Sequence, residues 1–147
     1  MTVPAGAAGL TTEARPEGAD TDRPGSAWAL VAAAGAMVAA AAHLPVTTEH
    51  LREAPYMGVL FVAFSLAVLA GAAAVLLRDT AGRYASLGAV SLTAVVAYAA
   101  TRLVAFPQLA DDVGNWWEPL GVLSVLSEAL VAAACLLGAR AVRRERP

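Results

Sequence analysis

Tyr56–Leu77, YMGVLFVAFSLAVLAGAAAVLL, runs for 22 residues without a single charged side chain. A helix rises about 1.5 Å per residue, so a run of this length crosses the roughly 30 Å hydrocarbon core of a bilayer. Three further runs share its length and character: Ala27–Val46, Ala85–Phe106 and Pro119–Ala139. In lipid every backbone N–H and C=O must be satisfied within the segment, which makes each run a helix. A β-barrel would show alternating segments of about 10 residues, and none is seen. The breaks are well marked. Pro45 and Thr47-Thr48 close the first run, and Pro55 stands where the second helix begins. Residues 78–84 form a short polar turn, Pro107 ends the third run, and Glu118-Pro119 opens the fourth. Connections this short make successive helices antiparallel neighbours. The expected fold is all-α: an up-down-up-down four-helix membrane bundle with spans at 27–46, 56–77, 85–106 and 119–139.

Composition agrees. Of 147 residues, 59% are hydrophobic and 15% charged, against roughly 45–50% and 25% in soluble domains. Alanine dominates, and lysine and isoleucine are absent. A formal net charge of −2 with so few cations argues against nucleic-acid binding. The single cysteine, Cys135, excludes an internal disulfide or a multi-cysteine zinc site, and deep in the fourth run it reads as inert. Residues 1–26 are rich in Pro, Gly, Thr and acids, without an apolar period. They read as a disordered tail and not as a cleaved signal. With four spans, this tail, the 78–84 loop and the basic 141–147 tail share one side. That side holds Arg15, Arg23, Arg78, Arg83, Arg140, Arg143, Arg144 and Arg146, while the other loops hold only Arg52. The positive-inside rule then places both termini in the cytoplasm of a multi-pass plasma-membrane protein.

The informative residues are those that make insertion costly. Arg102 lies near the outer end of the third run, and Glu128 lies nine residues into the fourth. Each costs about 2.5–3.5 kcal/mol at a membrane centre and less near its surface. Ser91, Val95, Tyr98 and Arg102 fall on one helical stripe, as do Gly121, Ser124, Glu128 and Cys135. Two such stripes turned inward would make a polar seam in which Arg102 pairs with Glu128. That pair would be either an interhelical clamp or part of a functional pocket with Tyr98 and Ser124.

His43, Glu49, His50 and Glu128 are nitrogen and oxygen donors near one membrane face, a set that would suit a divalent metal. In this reading residues 48–54 form a short interfacial helix of their own. There is no HExxH or CxxC spacing, and both histidines come from one end of one helix, which argues against haem held between them. In the outer loop, Glu118, Trp116 and Trp117 are further candidates. The tryptophans read as an interfacial belt or as a lid over an outward pocket. Gly35 and Ala39, at small-xxx-small spacing, would let helices approach closely, within the bundle or in a homodimer.

The stretch AAHLPVTTEHLREAPYMGVLF, followed by Thr101-Arg102 with Pro107, by Glu118-Pro119-Leu120-Gly121 and by Glu128, resembles small four-span membrane proteins common in actinobacteria. The resemblance covers roughly residues 38–130. It implies the same four-span fold and points to His43, His50, Arg102, Glu118 and Glu128, but it carries no activity or cofactor with it. One departure is Ser124, where that pattern has an Asp.

Two functions follow from these readings. One is an outward-opening polar pocket that handles a metal ion, a proton or a small solute. The other is a non-catalytic subunit or assembly factor of a larger membrane complex. An enzyme acting on a lipid or quinone is disfavoured, because no nucleophile is paired with a base.

Overall fold

A computed structural model describes residues 26–145. The tail expected to be disordered, apart from Ser26, lies outside them, as do Arg146 and Pro147. Four helices form in chain order: α1 Ala27–Glu53, α2 Pro55–Leu77, α3 Ala81–Leu103 and α4 Pro119–Arg144, with one turn of 3-10 helix at Ala110–Asp112 before α4. No strand occurs among the described residues. All four helices are long and apolar enough to cross a membrane.

The boundaries differ from the sequence reading in three informative places. First, α1 does not stop at Pro45 but runs on to Glu53, so residues 48–54 are not a separate interfacial helix. Proline removes one intrahelical hydrogen bond, but polar side chains bond the backbone on both sides of it. His43 Nδ1 reaches Ala39 O at 2.8 Å, Thr47 Oγ1 donates to His43 O at 2.6 Å, and His50 Nδ1 reaches Val46 O at 2.8 Å. The extended turn is also packed, since Leu51 fits over Gly58 of α2 so closely that a Cβ there would fall 2.6 Å from its Cγ. Second, α3 starts at Ala81, four residues early, because Thr80 caps it by accepting from Arg83 N. Third, α3 ends at Leu103, three residues early, while α4 continues to Arg144 and places Arg143 and Arg144 in its last turn, where cations favour the helix dipole.

The interior is built from small side chains. The buried face of α1 is Ala29, Ala32, Gly35, Ala36, Ala39, Ala40, Ala42 and His43. Large apolar residues such as Leu30, Met37, Leu66, Leu92 and Leu126 point outward. That inversion suits lipid, where association depends on close packing and not on expelling water from large side chains. α1 packs on α2 and α4, and α3 packs on α4 and less closely on α2. Gly35 and Ala39 both face inward, and a Cβ on Gly35 would lie 2.8 Å from Val131 Cγ2 of α4. The small-residue motif therefore serves the bundle itself.

One end of the bundle gathers the start of α1, the α2–α3 turn and the end of α4. Ser26 N donates to Asp79 Oδ2 at 3.2 Å, and Ser26 Oγ bonds the hydroxyl of the fully buried Tyr84 at 2.8 Å. Tyr84 lies flat on Gly138, where an added Cβ would be 2.5 Å from its ring. The hydroxyl bond fixes the ring, so the helices themselves must yield to any side chain at 138. Gly138→Ala is expected to lower stability by about 1–3 kcal/mol. Thermal unfolding in mild detergent reads this directly, and an unchanged midpoint would contradict the packing described.

Candidate functional site

The deepest polar cluster joins α1 to α4. Glu128 is 2% exposed, Ser124 8% and His43 8%. The backbone carbonyl of Ala39 can only accept, so His43 Nδ1 carries a hydrogen. The same N–H faces Ser124 Oγ at 3.4 Å, and the Ser124 hydroxyl donates to Glu128 Oε1 at 2.8 Å. The other ring nitrogen, Nε2, stands 3.8 Å from Glu128 Oε1. Ser127 lies buried beside them, its hydroxyl turned back to Ser124 O at 2.7 Å. From α2, Phe61 and Phe64 close over the imidazole, with ring centroids 4.8 and 4.9 Å away. Toward the other end of the bundle the interior is the apolar cluster of Ala36, Ala40, Val68, Leu87, Val131 and Cys135. The buried Ser91 hydroxyl, without a hydrogen-bond partner, lies one turn from Leu87. Among the described residues this apolar cluster separates His43 and Glu128 from the Ser26–Asp79–Tyr84 end of the bundle.

Arg102 does not pair with Glu128. Its guanidinium holds Asp112 Oδ1 at 2.7 Å and Asp112 O at 3.2 Å, and it stacks 4.6 Å above the Tyr98 ring. Two facts explain the difference. α3 ends at Leu103, so Arg102 occupies its last turn and not the membrane interior. The guanidinium also lies level with Gly121, whose Cβ would be 3.5 Å from Nη2, and Glu128 is seven residues, about 10 Å, further along α4. The two stripes do face inward, but α4 turns Gly121 toward α3 and Ser124 and Glu128 toward α1.

Arg102 straps down the 104–118 loop instead. Gly114 N donates to Arg102 O at 2.9 Å, Tyr98 Oη to Trp116 O at 2.9 Å, and Tyr56 Oη to Pro107 O at 2.7 Å. Glu118 is a helix cap, its carboxylate accepting from Leu120 N and Gly121 N. Trp116 and Trp117 line an apolar groove of about 460 Å³ with Val95, Tyr98, Val122, Val125 and Leu126. That groove flanks α3 and α4, so the tryptophans are no lid over His43.

The four-donor metal set does not assemble. Glu49 is exposed, and the Phe61 ring stands against both His43 and His50, at 4.8 and 5.0 Å. Among the described residues no group of three or more His, Cys, Asp or Glu side chains could hold a metal ion. Sequence reasoning missed Asp112 as the partner of Arg102 and Phe61 as a neighbour of both histidines. The spacing of Asp112, ten residues after Arg102 across a proline turn, was the available signal for the first. Nothing in the sequence signalled the second.

The chain matches no family model, no curated protein and no solved structure. Its geometry is therefore the guide to its function.

Arg102→Ala leaves the Asp112 carboxylate without its cation and releases the loop. Hydrogen exchange of amides 104–118 is expected to rise roughly tenfold, as about 1–2 kcal/mol of local stability is lost. Glu128→Gln should leave those amides unchanged. Equal effects of the two substitutions would contradict the separation of the sites.

Proposed function

We propose that this is a multi-pass membrane protein, with its termini in the cytoplasm, that binds and releases a proton at the buried His43–Ser124–Glu128 site. The observation that carries this reading is the 3.8 Å approach of His43 Nε2 to Glu128 Oε1 inside the bundle. With hydrogen on Nδ1, the neutral ring carries its lone pair on Nε2, the nitrogen 3.8 Å from the carboxyl group. The two groups are compatible when one proton lies between them, on the ring as an ion pair or on the carboxyl as two neutral groups. Losing that proton leaves a net charge of −1 in a low-dielectric interior. Such coupled groups titrate as a unit, and ionisable groups within spans are functional candidates by default. Ser124 holds the pair in register by linking both partners.

The apolar cluster beyond Glu128 favours a site that senses or stores a proton on the loop side over a conduit through the chain. A proton also fits the residues better than a metal, since only one imidazole and one carboxyl group converge.

A second reading, membership in a homodimer or a larger membrane complex, is supported by α2 and α3. They bury only 17% of their apolar windows inside the chain, against 50% for α1. The two readings are compatible, because a partner on α2 and α3 would leave the α1–α4 site intact.

The test is infrared difference spectroscopy of the protein in nanodiscs across a pH titration. A protonated-carboxyl stretch that titrates in the wild type, vanishes in Glu128→Gln and changes its midpoint in His43→Gln is expected. If the Glu128→Gln spectra match the wild type at every pH, the site holds no exchangeable proton and the reading fails.

A further inference from the structure

We infer that Phe61 is the gate through which the buried site exchanges its proton with the outer surface, and that His50 is the outer station of that route. This rests on the proton-binding reading of His43 and Glu128. His43 and His50 are two turns apart on one face of α1, about 10 Å along its axis. Both rings are held in the same way, Nδ1 against the carbonyl four residues back at 2.8 Å. Both therefore carry hydrogen on Nδ1 and leave Nε2 free to take up a proton. Val46 and Thr47 fill the intervening turn of α1, and from α2 one ring stands against both histidines. The Phe61 centroid lies 4.8 Å from that of His43 and 5.0 Å from that of His50, each at an interplanar angle of 66°. A phenyl ring offers no hydrogen-bonding atom, so where it stands against both imidazoles a water chain finds no partner.

The surroundings suit a gate. His43 is 8% exposed, while His50 is half-buried. Pro45 lies between them and removes one backbone hydrogen bond from α1 at the step from the buried to the outer histidine. A tilt of the outer turns there breaks one backbone hydrogen bond fewer, and the α2 contact that it must shift is Leu51 over Gly58. The charged residues within one turn of the outer station are Glu49, Arg52 and Glu53 on α1 itself, and its neighbour on α2 is Phe61. Around the inner station the groups are Ser124 and Glu128 on α4 and Phe61 and Phe64 on α2.

Each transfer balances. His50 Nε2 takes a proton from hydronium at the outer face, leaving water. When the Phe61 ring swings aside, a water chain passes a proton to the His43–Glu128 pair, and His50 returns to its neutral form. The pair goes from a net charge of −1 to neutrality. Release follows the same steps in reverse.

The experiment is a pH jump on the full chain in nanodiscs, with the Glu128 carboxyl stretch followed over time. Phe61→Ala is expected to speed protonation about tenfold or more and His50→Ala to slow it by a similar factor; the midpoint stays in place in His50→Ala and shifts in Phe61→Ala, where water reaches the imidazole that the ring covered. Should Phe61→Ala fail to fold, Phe61→Val removes part of the ring's bulk and still speeds the rate, while His50→Gln keeps its bulk and still slows it. Unchanged rates in both classes of variant, with the Glu128 band still titrating, would overturn the gate and leave the site standing. A Glu128 band that never titrates would instead remove the proton-binding reading, and the gate with it.

Discussion

The contact of Gly35 with Val131 sets the register of the molecule. A Cβ at position 35 would overlap the valine methyl, so α1 and α4 meet there almost backbone to side chain. The two helices run antiparallel, and one close contact fixes which residues face each other along their length. Moving outward, eight residues along α1 lead to His43 and seven back along α4 lead to Ser124, distances that agree within about 2 Å at helical rise. The buried polar cluster is thus a consequence of small-residue packing deeper in the bundle. Any side chain that wedged the helices apart at Gly35 would also separate His43 from Glu128.

The protein places its two costliest charges by different means. Arg102 stays at a helix end, where it meets Asp112, the C-terminal dipole of α3 and the face of Tyr98. Glu128 is deep, and its partners are weaker as stabilisers: one hydroxyl and one imidazole beyond hydrogen-bond length. Contacts like these contribute about 1 kcal/mol or less in lipid, against a burial cost several times larger. Stability alone is a poor reason for a carboxyl group in that position, whereas Arg102 is accounted for by the loop that it holds.

Much of the architecture was legible because hydrocarbon thickness imposes a length on every span. Four runs of the required length could only be four helices, and the stripes on α3 and α4 correctly marked their inward faces. Periodicity tells which face of a helix is buried but not which neighbour it meets. α4 touches two helices, and that is why Glu128 could be assigned to Arg102 when it belongs with His43. Pro45 misled for a local reason. Proline ends most helices, but here Thr47 and both histidines bond back to the backbone around it, and Leu51 packs on Gly58 beyond it. The contact of Phe61 with both histidines follows from the crossing of α1 and α2, which no spacing within either helix encodes.

The Arg102–Asp112 strap also bears on the order of assembly. Its partners are ten residues apart, and a loop of that size closes in about 10–100 ns, while a ribosome adds roughly 5–20 residues per second. The cation of α3 is therefore neutralised as soon as residues 102–114 are clear of the ribosome, before α4 has followed them out. The nascent chain then presents the membrane with a third span whose C-terminal end is already capped and turned back on itself. In biosynthetic terms, the last hairpin has its bend before it has its second arm.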